Sequence, residues 1–291
     1  MAACTRRHAL VTGASSGMGR ATALTLAARG FHVFATIRRA EDGQSLVADA
    51  RGQLTPLLMD VSKPPQIADG VHVVTSHVAL RGLDALVNNA GVGLAWPLEL
   101  VPLDRFRRQF EVNVDGQLAV TQALLPLLRL ATGRIIMIGS IADRLTPPFV
   151  GPLAASKHAL LALTEALRLE LSPWHIRVVL IEPGNIRTEA GGKFEKDAAE
   201  ALQEFSPAGR ALYGDAFRRM TSRFGARHEH GSDPQVVADV VAQAIESRQP
   251  RARYLVGKDA RRFALLAKLP TRVLDPLRLR VFGITGAART R

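Results

Sequence analysis

Short apolar runs alternate along this chain with longer stretches in which apolar residues recur at i, i+3 and i+4. The runs His8–Thr12, Phe31–Thr36, Leu54–Met59, Ala85–Asn88, Arg134–Gly139, Arg177–Glu182 and Tyr254–Val256 read as strands. Several are continuous Val/Ile/Leu, the pattern of strands covered on both faces. Helical spacing fills Met18–Arg29, Leu103–Leu130 and Leu153–Leu171. This rhythm predicts an α/β fold, a doubly wound, mostly parallel seven-stranded sheet with helices on both faces. Gly30 is placed to stop the first helix, Pro152 suits a first helical turn, and Pro173 forbids continuation past Leu171. No internal repeat or low-complexity linker divides the chain. Residues 1–260 therefore read as one domain and 261–291 as an extension.

From Arg187 to about Ser232 no strand signal occurs, although two helical stretches are expected. A connection this long predicts a lid over a site. Phe194, Phe205, Tyr213, Phe217 and Phe224 are spread along it. They are suited either to lining an apolar cleft or to holding the lid on the body. In the extension, apolar residues from Phe263 to Phe282 alternate with basic ones, and Pro270 and Pro276 are expected to interrupt any helix. It cannot span a membrane. Packing over the cleft or a neighbouring subunit is favoured over lying on an anionic membrane surface.

Charge refines this picture. The net charge is +12, but residues 251–291 hold eleven Lys/Arg against two Asp, a net +9 that leaves +3 for the rest. The basic character belongs to the tail, and without a nucleic-acid-binding motif it predicts no nucleic-acid partner. The lone cysteine, Cys4, cannot form an internal disulfide. The N-terminus has no signal-peptide core, so the expected compartment is the cytoplasm.

The chemistry begins at Thr12-Gly13-Ala14-Ser15-Ser16-Gly17-Met18-Gly19-Arg20, which follows the first strand and opens the first helix. Glycine there permits positive φ and close approach of backbone to a pyrophosphate. The free amides and dipole of the helix start then face the anion. In strand–turn–helix context the turn predicts dinucleotide binding.

The spacing Gly-x-x-x-Gly-x-Gly resembles that of the short-chain dehydrogenase/reductase family, and further matches accumulate in order. Asp60-Val61 follows the third strand, where the family holds the adenine ring. Asn88-Asn89-Ala90-Gly91 ends the fourth. Asn113 lies at the family's catalytic asparagine, Ser140 at its serine, and Lys157 in Ala-Ser-Lys-His-Ala-Leu at its lysine. Pro183-Gly184 and Thr188 match the segment bordering the nicotinamide. The resemblance is specific over about residues 7–190, looser to Asp259, and nearest to the retinol- and hydroxysteroid-dehydrogenase-like branch. It implies a Rossmann-type fold, a nicotinamide cofactor and a homodimer or homotetramer.

Two positions modify what the resemblance implies. After the second strand the chain reads Ala35-Thr36-Ile37-Arg38-Arg39, with no acid for a ribose 2′-hydroxyl. Arginine suits a 2′-phosphate through charge-assisted hydrogen bonds, Ser16 can add a hydroxyl donor, and Glu41 and Asp42 come late for the opposite role. The expected cofactor is NADP(H). The second position is four residues before Lys157, where the family has its proton-relay tyrosine and this chain has Leu153. Leucine donates no proton. Three readings follow: an atypical reductase or dehydrogenase for a bulky apolar steroid-, retinoid- or polyketide-like carbonyl or alcohol; a non-catalytic NADP(H)-binding protein; or a Tyr-to-Leu variant of an ordinary enzyme. His158 is read as structural. His228 and His230 are too close together, with no cysteine near, so no metal site is expected.

Overall fold

The computed structural model describes residues 7–284. Cys4 and the end of the basic tail, 285–291, lie outside them. Seven parallel strands form one sheet in the order β3-β2-β1-β4-β5-β6-β7. In chain order the elements are β1 Arg7–Val11, α1 Gly17–Ala28, β2 Phe31–Ile37, α2 Ala40–Asp49, β3 Leu54–Leu58, α3 Pro64–Val78, β4 Ala85–Asn88, α4 Leu103–Phe110, α5 Gly116–Ala131, β5 Arg134–Ile138, α6 Gly151–Glu170, β6 Arg177–Pro183, α7 Glu189–Glu204, α8 Pro207–Glu229, α9 Gln235–Glu246, β7 Arg253–Val256, α10 Ala260–Leu266 and α11 Thr271–Phe282. All seven expected strands form, with ends shifted by a residue.

The continuous apolar runs are explained by burial on both faces. Ala9, Val11, Ala85, Val87, Ile136, Ile138, Val179 and Ile181 pack towards α1 and α9. Their alternates Leu10, Leu86, Ile135, Met137, Val178 and Leu180 pack towards α3, α5 and α6. The strand period of two thus splits each run between two cores. Sheet order reverses between β1 and β4, and such a switch point opens a crevice at the carboxyl ends of the strands. The glycine-rich turn after β1 and Asn88-Asn89-Ala90-Gly91 both lie there.

The connection 187–232 is built from α7 and α8, closed at its base by an isolated bridge between Ile186 and Ser232. Its aromatics pack into one cluster. Phe205 and Phe217 are buried, with ring centroids 5.3 Å apart, and pack with Trp96 and Phe149. These anchor the connection to the body. Phe194, buried in the same cluster, packs 4.7 Å from Phe224 and beside Leu153 and Gly93.

The tail departs from expectation. Pro276 does not interrupt a helix; α11 runs through it. Burial of Leu274 and Phe282, the Arg227 guanidinium 5.2 Å from the Phe282 ring, and the Arg219 bond to the Gly283 carbonyl (3.1 Å) hold α11 on the lid. This packing offsets the roughly 3 kcal/mol an internal proline costs. No helix among the described residues is long and apolar enough to cross a membrane.

Candidate active site

The turn after β1 is held from three directions. Gly13 N–H donates to Thr36 Oγ1 (3.0 Å), Ala14 N–H to the Thr36 carbonyl (2.8 Å), and Asn89 Nδ2 to the carbonyls of Thr12 and Gly13 (2.9 and 3.1 Å). Thr12 Oγ1 accepts from the amides of Asn89 and Ala90, both at 2.9 Å. Gly13 has φ +64°, and a Cβ there would sit 2.9 Å from the Ala90 backbone. At Gly19 a Cβ would collide with the Gly13 carbonyl and Asn89. Ser16 begins α1 in extended conformation without capping it through its side chain. The first amides of α1, at Gly17, Met18 and Gly19, therefore face the crevice as unshared donors, with Ser15 and Ser16 on its rim. A turn packed too tightly against Ala90, Asn89 and its own backbone to take a Cβ at Gly13 or Gly19, beside helix-start amides, fits a dinucleotide diphosphate.

Arg38 and Arg39 follow β2 and are both exposed. Arg39 is engaged by Asp42, Nη2 to Oδ1 at 2.8 Å and Nε to Oδ2 at 3.2 Å. Arg38 stands at the crevice edge, near enough for Asp60 to feel its charge. Burial pushes the Asp60 carboxyl upward, but hydrogen bonds from Ser62 (2.9 and 2.7 Å) with the charges of Arg108 and Arg38 outweigh it and hold the group below its usual range. The buried Val61 is next to it, so Asp60-Val61 flanks Arg38 across β2 and β3.

Asn113 is fully buried, not in a regular helix as its spacing implied but in a single π-helical turn, Glu111–Asp115, between α4 and α5. Such turns concentrate at functional sites. Its Oδ1 accepts from Val92 N–H (2.8 Å), and its Nδ2 donates to the Val92 carbonyl and to Ser156 Oγ, both at 3.0 Å. Asn113 thus fastens the loop after Gly91 to α6.

Ser140 follows β5 and caps the short turn Ile141–Asp143, its Oγ accepting from Ala142 N–H at 3.1 Å. Lys157, 8% exposed, donates from Nζ to the Ile138 carbonyl at 2.8 Å. Burial lowers the Lys157 pKa to about 8, against the opposing charge of Asp143. Leu153 lies one helical turn earlier on α6, beside Phe194, with its carbonyl accepting from Ser156 Oγ (2.8 Å). Pro183-Gly184 turns over Asp259, whose carboxylate accepts from the backbone and side chain of Asn185. Thr188 Oγ1 lies 3.2 Å from His228 Nε2, tying α8 to this segment, and burial lowers the His228 pKa. His158 hydrogen-bonds the Ala154 carbonyl within its own helix.

Sequence reasoning missed a charge cluster behind Ser140. Glu182, fully buried at the end of β6, accepts from Arg144 Nη2 at 3.0 Å and from Arg253 Nε and Nη2 at 2.9 and 2.7 Å. Asp143 is buried against it. The available signal was local: Ser140-Ile141-Ala142-Asp143-Arg144 places an acid and a base directly after the expected serine.

The residue pattern and this geometry agree with comparison to known proteins. The family model described as short chain dehydrogenase matches residues 7–199. The chain is 35% identical over 277 residues to the NADPH-dependent 3-dehydrocapnine reductase of Ornithobacterium rhinotracheale, covering 93% of this chain and 95% of that one. It is 36% identical over 272 residues to retinol dehydrogenase 5 of Homo sapiens, covering 91% and 85%. A crystal structure of a short-chain dehydrogenase from Streptomyces avermitilis superposes with a TM-score of 0.75 at 29% identity, covering 96% of each chain. A match that starts with β1 and runs into α7 takes in both the glycine-rich turn and the segment carrying Ser140 and Lys157, and the chain belongs to the short-chain dehydrogenase family.

Proposed function

We propose that this chain is an NADP(H)-dependent oxidoreductase that interconverts a carbonyl and a secondary alcohol on a bulky apolar molecule, in a site without the family's relay tyrosine. The observation that carries the cofactor choice is Arg38: its neighbour Arg39 is occupied by Asp42, so Arg38 is left to meet a 2′-phosphate. The named activity of the 3-dehydrocapnine reductase supports NADPH, and that of retinol dehydrogenase 5 supports an apolar alcohol. Gly13, Gly17, Met18 and Gly19 would hold the diphosphate, Arg38 and Ser16 the 2′-phosphate, Asp60 and Val61 the adenine, Asn89, Ala90 and Gly91 the adjoining ribose, and Lys157, Pro183, Gly184 and Thr188 the nicotinamide half. Bound there, the cofactor supplies or accepts the hydride.

Within this reading the chain's residues divide the remaining work. Ser140 Oγ polarises the substrate oxygen. Lys157 orients the ribose and carries a proton on Nζ. Asn113 keeps the Val92 loop in place, while Phe194 and Phe224 exclude water beneath the lid. The competing reading, a non-catalytic NADP(H)-binding protein, is favoured by Leu153 alone.

Two titrations test the cofactor assignment. Arg38→Ala is expected to weaken NADPH binding roughly 10–100-fold, the loss of about 1.5–3 kcal/mol from bonds to a charged group, with NADH affinity changed by less than about twofold. Equal loss for both cofactors would remove Arg38 from the 2′-phosphate. Gly19→Ala is expected to weaken both cofactors more than tenfold, because the new Cβ meets the Gly13 carbonyl and Asn89. Unchanged uptake by that variant would place the diphosphate elsewhere. No uptake of either cofactor by the parent chain would end this reading.

A further inference from the structure

The tail has two faces of different character. On α10, Ala260 and Ala264 are buried one helical turn apart. Arg261, Leu265 and, just past the helix, Lys268 and Leu269 are exposed at the spacing of the other face. On α11, Leu274 and Phe282 are buried, and the exposed row is Arg272, Val273, Pro276, Leu279 and Arg280. Leu265 is 65% exposed and Val273 50%. Isolated exposed leucines are ordinary. Here they recur from 265 to 279 and alternate with Lys268, Arg272 and Arg280. Residues 260–284 carry six cations and one acid, Asp275, whose Oδ1 lies 3.4 Å from Arg278 Nη1.

This outer face is fixed in place. Arg219 and Arg223 of α8 donate to the carbonyls of Gly283 and Arg280 (3.1 and 3.0 Å), and Phe282 is buried beside Arg227. The row therefore meets solvent in one orientation, and little ordering is left to be done on contact.

Charge decides what it fits. A second copy of this chain, meeting the patch with the same patch, would set the exposed Arg261, Arg262, Lys268, Arg272 and Arg280 against their own kind. Nucleic acid would match the cations and leave the apolar positions without a partner. An anionic lipid surface matches both, because headgroups take the cations and the acyl boundary takes the leucines, which basic side chains reach past. We propose that the outer face of α10 and α11 is a docking surface for an anionic lipid bilayer, on which the protein lies without crossing it. Because α11 rests on α8, docking brings the connection 187–232 to the lipid. The docking does not depend on the oxidoreductase reading.

Cosedimentation of the full chain with vesicles tests this. The protein is expected to pellet with vesicles of equal parts phosphatidylglycerol and phosphatidylcholine at about 0.1 M salt, and to stay in solution with phosphatidylcholine alone. Raising the salt to about 1 M, which shortens the screening length from about 10 to about 3 Å, is expected to release most of it. Arg261→Gln, Arg272→Gln and Arg280→Gln combined are expected to weaken partitioning roughly 100-fold, about fivefold for each cation near the surface. Leu265→Ser with Val273→Ser leaves the charge unchanged and is expected to weaken it about tenfold. All five side chains are exposed, and unchanged urea midpoints in both variants would show that the fold is retained. Equal pelleting with the two kinds of vesicle, or pelleting indifferent to either variant, overturns the proposal. Duplex DNA that binds parent and serine variant alike, with no vesicle binding, makes the face a polyanion site and overturns it too. So does a concentration-dependent dimer that Leu265→Ser dissolves, which gives the face to a second copy. A chain that turns over ketones and ignores vesicles loses this proposal alone, whereas vesicle binding without uptake of either cofactor loses only the oxidoreductase reading.

Discussion

Leu153→Tyr is expected to raise the rate of NADPH-dependent ketone reduction by about 10²–10⁴-fold, the contribution of a positioned general acid. Residue 153 stands one turn before Lys157 on α6, so both side chains project from the same helix face. A phenol there would sit near a buried ammonium, whose charge lowers the phenol pKa and suits it to proton exchange. Leu153 already lies beside Phe194 under the lid, and enlarging it costs about 1–3 kcal/mol of stability through crowding. Leu153→Phe separates the two effects: it adds the ring without the hydroxyl and is expected to bring no gain. Steady-state kcat against a panel of bulky ketones reads the comparison. A tyrosine variant no faster than the phenylalanine control would show that position 153 does not face the reacting oxygen.

Glu182→Ala is expected to destabilise the protein by about 3–5 kcal/mol at pH 6, measured by urea unfolding, because Arg144 and Arg253 lose a buried counter-ion. The sign of the pH dependence follows from the pair. Asp143 is raised in the folded state, so its contribution to stability is complete below the usual carboxylate range and is lost as pH rises through about 8. Glu182 is lowered, so its contribution is present above its ordinary value and is lost in acid. In the variant, Asp143 becomes the counter-ion to the arginines and ionises at lower pH. The deficit is therefore expected to be greater at pH 6 than at pH 9, where the parent itself carries two ionised carboxyls. A deficit independent of pH would mean that the two carboxyls do not share a proton.

Both variants address residues of different legibility. Leu153 stood out in the chain because, one helical turn before Lys157, it holds the position where the resembled family has its tyrosine. Glu182 did not, because nothing local connects it to Arg144 or Arg253; it reads as the last residue of an apolar run. The contact forms through sheet register. Ile138 pairs with Ile181, which brings the turn carrying Asp143 and Arg144 to the end of β6. Leu180 pairs with Arg253, which puts that guanidinium on the face carrying Glu182.

Arg38 and Arg39 show the same division at shorter range. Their positions after β2 raised the expectation of a 2′-phosphate, but only the start of α2, folding Asp42 back onto Arg39, distinguishes the engaged guanidinium from Arg38. Pro276 is the converse case, where local chemistry argues for a break and the burial of Leu274 and of Phe282, the latter beside Arg227 of α8, overrides it.

Periodicity, turn glycines and motif order, all properties of neighbours along the chain, were enough to specify the sheet and the tight glycine turn after β1, and the family resemblance pointed to Ser140 and Lys157. The arginine that is available, the path of the tail, and the partner of Asp143 depend on strands and helices far apart in sequence being brought into register. Burial energy is non-directional and polar partners are chosen by whatever that register places within about 3 Å, so these features exist only once the fold has formed.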